Sequence, residues 1–223
     1  MNLFKLIKDQ KKLVIFDFDG VLVDSVHVKT KAFGLMYEEF GSNIVKKVHH
    51  HHIKNGGLSR FEKFKFYHKS FLNETLDEDG VQLMANKFSD LVVNKVVSSN
   101  WIPGAENFLQ ILYKHNINCA IVSATPQNEI ELIIKKRTMD KYFSDIYGSP
   151  DSKFNNLTKV LKKNSVTSDK VIFFGDALAD WQAAIMAEIP FVGVGESIKS
   201  LLLENDKSSI FIDNFKTIKD DQE

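Results

Sequence analysis

The segment LVIFDFDGVLVDS, residues 13–25, carries the side chains best suited to chemistry. An apolar run leads into Asp17 and a turn at Gly20 follows at once, which is typical of a buried strand that ends at a sheet edge. In an extended chain, Asp17 and Asp19 share one face because their spacing is i and i+2. Adjacent carboxylates repel each other unless a cation or a shared proton lies between them. The pair therefore favours a divalent metal site, although Asp-Gly alone also fits a surface turn.

Two later motifs offer groups that suit a phosphate. In SATP, the hydroxyl of Ser123 and the amides that follow it are able to donate to phosphate oxygens, but the same pattern fits an ordinary helix N-cap. In GSPDSK, Lys153 enters the start of a predicted helix, where a cation is unfavourable. An anionic substrate or the carboxylates themselves would explain it, whereas a solvated surface lysine is the alternative.

A second pair of acids lies in GDALAD. Asp176 directly follows an apolar strand, and Asp180 comes four residues later. Carboxylate oxygens are the ligands that hard cations prefer. Asp180 alone also fits a first-turn acid that interacts with the helix dipole. For Asp176 the pattern favours a metal ligand.

Short apolar strands alternate with helical patterns through most of the chain, which predicts a parallel sheet covered on both faces. Residues 26–99 show helical patterns and no strong strand, including a capping box that starts a helix at Ser59. We therefore expect an α/β fold, a Rossmann-like parallel sheet with an inserted α-helical cap domain. The core would comprise residues 1–25 and 100–223, and the cap residues 26–99. The carboxyl ends of the strands would bring the motifs together.

Composition sets limits on the function. The chain has 223 residues, 43% of them hydrophobic, and its 29 basic residues balance its 29 acidic ones. This balance gives no global attraction to nucleic acid or to an anionic membrane. No apolar stretch approaches the roughly 20 residues that span a bilayer, and the amino-terminal segment is too charged for a signal peptide. The single cysteine, Cys119, lies in an apolar run and favours a reduced core residue. We expect a cytoplasmic protein.

The four motifs, in this order, resemble those of the haloacid dehalogenase-like (HAD) hydrolase superfamily along the whole chain. A helical insertion directly after the first motif resembles the branch of phosphoglycolate phosphatase and β-phosphoglucomutase. The resemblance implies a magnesium-dependent phosphatase that acts on a small phosphorylated metabolite, such as phosphoglycolate or a sugar phosphate. The reaction would pass through an aspartyl-phosphate.

The resemblance also implies a role for each residue of the motifs. Asp17 would be the nucleophile, and Asp19 the general acid and base. Ser123 and Lys153 would hold the transferring phosphoryl group. The residues that the resemblance places at Mg²⁺ are Asp17, Asp19, Asp176 and Asp180, and those that it places at the substrate in the core are Gly20 and Ala124.

The cap would decide which substrate is accepted. The segment GLSR resembles the cap segment by which β-phosphoglucomutases place an arginine on the distal phosphate of the substrate. This implies substrate contacts for Arg60, and Lys63 would share its helix face one turn later. A solvated arginine is the alternative. The run HHHH, residues 49–52, cannot bind one ion because consecutive helical residues point in different directions, and we interpret it as a polar cap surface.

Two other functions remain open. A β-phosphoglucomutase-like mutase would use the same nucleophile but return the phosphoryl group to a bound sugar; GDALAD resembles the phosphatases more, since mutases usually carry adjacent acids there. A non-catalytic regulatory protein on this scaffold is disfavoured by the intact motifs. The expected partner is a small phosphorylated metabolite, without nucleic acid or membrane, and the chain would be a monomer or a homodimer.

Overall fold

A computed structural model describes residues 3–205 and 210–220 of the chain. Its six strands are β1 (Leu13–Phe16), β2 (Asn118–Pro126), β3 (Asp145–Ser149), β4 (Val171–Gly175), β5 (Phe191–Val194) and β6 (Ile210–Ile212). They form one sheet in the order β3-β2-β1-β4-β5-β6, and every neighbouring pair is parallel. The predicted parallel α/β sheet is confirmed.

Ten α-helices accompany the strands within the described residues. They are α1 (Leu3–Gln10), α2 (Val26–Met36), α3 (Ser42–Lys54), α4 (Arg60–Tyr67), α5 (Glu78–Ser98), α6 (Ala105–Lys114), α7 (Gln127–Lys136), α8 (Lys153–Asn164), α9 (Leu178–Met186) and α10 (Glu196–Asn205). None of these helices has the length and apolar character that crossing a bilayer requires.

Strand β1 lies in the middle of the sheet. Its four residues are all buried, with Val14 and Phe16 in the core on one face and Leu13 and Ile15 in the core on the other. A strand covered on both faces needs a continuous apolar run rather than alternation, which LVIF supplies. The buried centre of the sheet therefore delivers Asp17 to its carboxyl edge.

Between β1 and β2 the described residues form helices, turns and two isolated bridges, Asp19–Val23 and Val23–Trp101, but no full strand. Their aromatic side chains form a shared core, in which the Phe33 ring lies 4.3 Å from that of Phe88 and 5.6 Å from that of Phe64. Helix α4 begins with the capping box that the sequence predicts, because Ser59 and Glu62 exchange side-chain and backbone hydrogen bonds. The helical insertion is present, while the exact domain limits, residues 26–99 and the two core segments, stay a prediction.

Several element bounds differ from the sequence patterns. Apolar residues in helical spacing predict one helix over residues 26–40, but α2 ends at Met36 and Glu38–Phe40 form a separate 3₁₀ turn. The short apolar run near the end of the chain predicts an edge strand over Ser209 to Ile212; β6 lies there, at Ile210–Ile212, and Ser209 lies outside the described residues. The patterns do not predict α1, a short helix that buries Leu3, Phe4 and Ile7 on one face.

Candidate active site

Asp17 follows β1 directly and is only 3% exposed. Its backbone N–H continues the sheet by donating to the carbonyl of Phe174 at 2.9 Å. The carboxylate is held from both sides, since the Phe18 N–H donates to Oδ1 at 2.7 Å and Lys153 Nζ donates to Oδ2 at 2.9 Å. These two contacts hold the Asp17 carboxylate in one orientation.

Lys153 joins two carboxylates at the start of α8. Its ammonium contacts Asp17 and Asp180, and all three side chains are buried. Although burial alone lowers the pKa of Lys153, the two carboxylates raise it above its usual value. The unfavourable position at a helix start is thus explained by the carboxylates, one of the two explanations open from the sequence.

Asp180 has two functions in the structure. Its Oδ2 accepts from the Ala177 N–H at 3.1 Å, which satisfies a free donor at the beginning of α9. Its Oδ1 contacts Lys153. Asp180 therefore caps the beginning of α9 and also belongs to the site, so the two interpretations that the sequence left open are compatible.

Three carboxylates meet at the carboxyl edge of the sheet. Asp17, Asp176 and Asp180 each offer an oxygen, and these oxygens lie within 4.8 Å of one another. Burial, followed by the charges of Asp17 and Asp180, raises the pKa of Asp176 well above its ordinary value. Within the described residues, no side chain or N–H donates to Asp176. Asp176 therefore has carboxylate oxygens without a hydrogen-bond donor, next to two other carboxylates. Such a cluster of oxygen ligands suits a hard cation such as Mg²⁺.

The backbone at Gly20 makes room for Asp176. Gly20 has φ +81°, and a Cβ at this position would lie 2.2 Å from Asp176 Oδ2. Glycine is needed here for both reasons, the left-handed conformation and the close approach. The turn that follows Asp19 is thus shaped around the carboxylate of Asp176.

Asp19 is held by three donors. Ser25 Oγ donates to Oδ1 at 2.6 Å, while Lys29 Nζ at 2.5 Å and Thr125 Oγ1 at 3.1 Å donate to Oδ2. Burial by itself raises the pKa of Asp19, but the charge and hydrogen bond of Lys29, with the two hydroxyls, outweigh it and lower the pKa. The network joins helix α2 to strand β2 across the carboxylate.

The Ser123 side chain forms its hydrogen bond within its own strand. It is fully buried in β2, and its Oγ accepts from the Thr125 N–H at 3.1 Å. Thr125 makes the contact with Asp19, and Ala124 and Thr125 line the cavity in front of the acids. The role of Ser123 in holding phosphate, like that of Ala124, stays a prediction.

A cavity of about 470 Å³ separates the acids from the helical insertion. Its wall from the insertion includes Arg60, Lys63 and His52, and its opposite wall includes Asp17, Asp19 and Asp176. The loop between α3 and α4 closes one side: a Cβ on Gly57, which has φ +77°, would lie 3.3 Å from Lys153 Nζ. The insertion therefore contacts the site.

Arg60 is engaged within the protein. Its guanidinium pairs with both carboxylate oxygens of Glu129 on α7, at 2.8 and 2.5 Å, and donates to Ser89 Oγ at 2.8 Å. It also lies 4.6 Å from the centroid of the Phe88 ring. Arg60 lines the cavity but its planar donors are directed to α7 and α5, so it connects the insertion to the sheet domain in this structure.

The histidine run does not form a uniform polar surface, and the interpretation is wrong for His52. His50 is exposed, but His52 is 6% exposed and lines the cavity. Its Nδ1 accepts from Lys63 Nζ at 2.9 Å. Consecutive helical residues face different directions, so one member of the run faces inwards.

Sequence reasoning missed Lys29, Glu129 and His52 as neighbours of the predicted site residues. A pattern was available for Lys29, because Ser25 and Lys29 are spaced i, i+4 at the start of a helix and so share a face. None was available for Glu129, since an acid in the first turn of α7 is an ordinary helix feature.

Comparison with known proteins agrees with this geometry. The family described as haloacid dehalogenase-like hydrolase matches residues 14–194. A phosphoglycolate phosphatase of Pseudomonas savastanoi is 28% identical over 192 residues, which cover 82% of this chain and 69% of the relative. A phosphorylated carbohydrates phosphatase of Thermotoga maritima is 25% identical over 184 residues, which cover 79% of this chain and 81% of the relative.

Solved structures share the fold. A β-phosphoglucomutase of Clostridium difficile superposes with a TM-score of 0.76 at 23% identity, covering 94% of this chain and 93% of its own. A HAD hydrolase of family IA, variant 3, from Entamoeba histolytica also reaches 0.76, at 19% identity, covering 93% of this chain and 95% of its own.

Proposed function

Since this chain belongs to the haloacid dehalogenase-like hydrolase family, we propose that it is a magnesium-dependent phosphatase that uses Asp17 as its nucleophile. Family membership and phosphatase relatives make the chain an enzyme that hydrolyses phosphoric monoesters. The finer proposal rests chiefly on one observation, that Lys153 contacts both Asp17 and Asp180 at the end of β1. This contact places a cation beside the carboxylate that would attack.

In the first step, a carboxylate oxygen of Asp17 would attack the phosphorus, and the ester P–O bond would break. The Phe18 N–H and Lys153 restrict the carboxylate, so little orientational freedom remains to be lost at the transition state. Lys153 would also neutralise charge on the phosphoryl oxygens, and its contact with Asp180 supports this by fixing the ammonium beside Asp17. Positioning and charge neutralisation are the main needs of phosphoryl transfer.

Asp19 would move the protons. As the acid it would protonate the leaving alkoxide; as the base it would then take a proton from the water that attacks the aspartyl-phosphate. Phosphate would leave and the Asp17 carboxylate would be restored. The lowered pKa of Asp19 suits the second step, because an ionised carboxylate is ready to accept a proton. The first step needs the protonated carboxyl, which the negative charge of a bound phosphoryl group would favour.

The acidic cluster would hold the metal. Asp17, Asp176 and Asp180 supply oxygen donors at suitable mutual distances, and the backbone carbonyl of Asp19 is a further candidate ligand. When bound, Mg²⁺ would offset the repulsion among these carboxylates and draw negative charge from the transferring phosphoryl group. Gly20 would maintain the position of Asp176 by allowing the close approach of the turn.

The cavity supports a small substrate. A volume of about 470 Å³ suits a compact phosphorylated metabolite rather than a polymer. The names of the two phosphatase relatives point to phosphoglycolate or phosphorylated carbohydrates as substrate classes for this chain.

The mutase alternative is disfavoured by Gly175. A Cβ on this residue would lie 2.4 Å from the Cβ of Asp180, so an acidic side chain beside Asp176 has no room while Asp180 holds its position. Adjacent acids are the pattern that the resemblance associates with mutases. The glycine at the end of β4 thus supports hydrolysis rather than isomerisation.

One panel experiment tests the proposal. Purified protein is incubated with Mg²⁺ and a set of phosphomonoesters that includes phosphoglycolate and glucose 1-phosphate, and free phosphate is measured, with Asp17→Asn as the blank. We expect phosphate release that chelation abolishes. Isomerisation of a glucose phosphate without free phosphate would establish the mutase instead, and no turnover of any ester would favour the non-catalytic alternative.

A further inference from the structure

Lys63 places a buried ammonium in the cavity wall without an anionic partner. The side chain is 2% exposed on α4, and no carboxylate of the described residues lies within ion-pair distance of it. Its contacts are the hydrogen bond to His52 Nδ1 at 2.9 Å and the face of the Phe33 ring, whose centroid is 5.5 Å away. Because a buried charge is costly unless it is paired, this arrangement calls for an anion that the protein does not supply.

His52 does not provide the missing charge. Burial, followed by the positive charges of Lys63 and Lys29, lowers the pKa of His52, so the ring is neutral and accepts from Lys63. The pair thus carries its positive charge on Lys63, when that amine is protonated. Burial, then Lys29 and Lys153, also lower the pKa of Lys63 to about 7 against the opposing effect of Asp19 and Glu62, as expected for a cation among cations.

The other cations of the cavity differ from Lys63 in being paired or exposed. Arg60 is neutralised by Glu129, Lys29 by Asp19 and Lys153 by two carboxylates, while Lys54 is exposed. Lys63 is the buried cation of this wall that remains free to pair with something that enters. Binding an anion there would remove a desolvated, uncompensated charge and form a charge-assisted hydrogen bond.

We propose that Lys63, oriented by His52, binds a second anionic group of the substrate, a carboxylate or a second phosphate, at the end opposite the phosphoryl group that is transferred. The proposal rests on the proposed phosphatase function. It assigns substrate selection to Lys63, whereas Arg60, which the motif GLSR singles out, is occupied in joining α4 to α7. His52 is a positioning residue, because it acts through Lys63.

Matched ester pairs test this. Phosphoglycolate and ethyl phosphate differ by a carboxylate in place of a methyl group, and glucose 1,6-bisphosphate and glucose 1-phosphate differ by one phosphate. For each pair, kcat/KM is compared as a ratio in the wild type, in Lys63→Met and in the control Lys65→Met. Lys65 is exposed on the same helix and pairs with Glu78.

We expect Lys63→Met to lower the ratio for one pair by about tenfold or more, the loss of one charge-assisted hydrogen bond, and Lys65→Met to keep the wild-type ratio. The pair that responds identifies the anion as carboxylate or phosphate. Equal losses for both members of each pair, or no loss, would overturn the proposal. Methionine keeps the length of the stem and removes an unpaired buried charge, so a Tm at or above that of the wild type will verify folding.

Binding measurements separate this proposal from the proposed function. Calorimetry in the Asp17→Asn background, with Mg²⁺, compares the same ester pairs with and without Lys63→Met. If no ester is hydrolysed by the wild type but the doubly anionic ester binds more tightly in a Lys63-dependent manner, the phosphatase proposal fails and this one stands. If Lys63→Met leaves the binding ratio unchanged, this one fails, whatever the catalytic result.

The role of His52 has its own test. His52→Asn offers Oδ1 near the place of Nδ1 and should retain most of the substrate ratio, whereas His52→Leu should lose it mainly through KM. A loss of kcat alone, equal in both variants, would contradict a positioning role.

Discussion

Replacement of Asp17 by asparagine tests both the chemistry and the electrostatics of the site. Asparagine keeps the shape and can still accept from the Phe18 N–H through Oδ1, but it is not a nucleophile at phosphorus. We expect kcat for any phosphomonoester to fall by at least about 10⁴-fold, since removal of a nucleophile typically costs that or more. Asp24→Asn is the matched control, because Asp24 is exposed in the same segment.

The same substitution should stabilise the metal-free protein at neutral pH. Burial raises the pKa of Asp17 to about 7, with Asp180 and Asp19 adding to it and Lys153 opposing it. A folded pKa above the unfolded value of 3.8 means that stability is full at low pH and falls as pH rises towards 7. At about 1.4 kcal/mol per pH unit, ionisation of Asp17 costs at most about 4 kcal/mol.

The expected gain in the free energy of unfolding is smaller than this limit. The amide of asparagine cannot accept from Lys153 as Oδ2 does, but Asp180 still neutralises that ammonium. We expect Asp17→Asn to gain about 1–2 kcal/mol, or about 2–8 °C in Tm at this chain length, in chelator at pH 8, and less at pH 5.

Thermal denaturation at the two pH values and phosphate release at saturating Mg²⁺ are the measurements. Since we expect a loss of about 10⁴-fold, an Asp17→Asn activity above about 1% of the wild type would show that Asp17 is not the nucleophile. A Tm at pH 8 that is lower than that of the wild type would refute the account of the charge cluster.

Three further predictions concern the neighbours of the site. Glu129→Gln leaves Arg60 buried without a counter-charge and should cost about 3–5 kcal/mol in urea denaturation, whereas the exposed Glu131→Gln on the same helix should change little. Lys29→Met removes the charge that does most to lower the pKa of Asp19, so the limb of the pH–rate profile that reports Asp19 should move to higher pH; an unmoved limb would contradict the coupling. Removal of divalent metal should abolish phosphate release, and Mg²⁺ should restore it; activity in chelator would exclude the proposed metal role.

Much of the architecture could be predicted because it depends on local patterns. Residues 13–16 are apolar without interruption, and such a short run next to a turn is typical of a strand buried on both faces. The capping box at Ser59 is equally local, since its partners are three residues apart. The end of α2 at Met36 was not predictable, because the helical pattern continues through residue 40 while the chain turns to begin α3.

The contacts around the cavity could not be predicted in the same way. Arg60 and Glu129 are 69 positions apart, and each has an ordinary local interpretation, a surface arginine and a first-turn acid. His52 belongs to a run in which every member has the same residue type, so only the rotation of α3 decides which ring faces the cavity. Lys63 became informative only when its burial and its lack of a carboxylate were known.

The sequence by itself determined which chemical groups follow each strand, and with them the reaction class, because carboxyl ends of parallel strands share one edge. The tertiary structure alone decided how those groups are paired: Lys153 with two carboxylates, Asp19 with Lys29, Arg60 with Glu129, and Lys63 with a neutral histidine. The physical reason is that the interaction energy of a charged group depends on its burial and on its neighbours in space. Neither is encoded in the spacing along the chain.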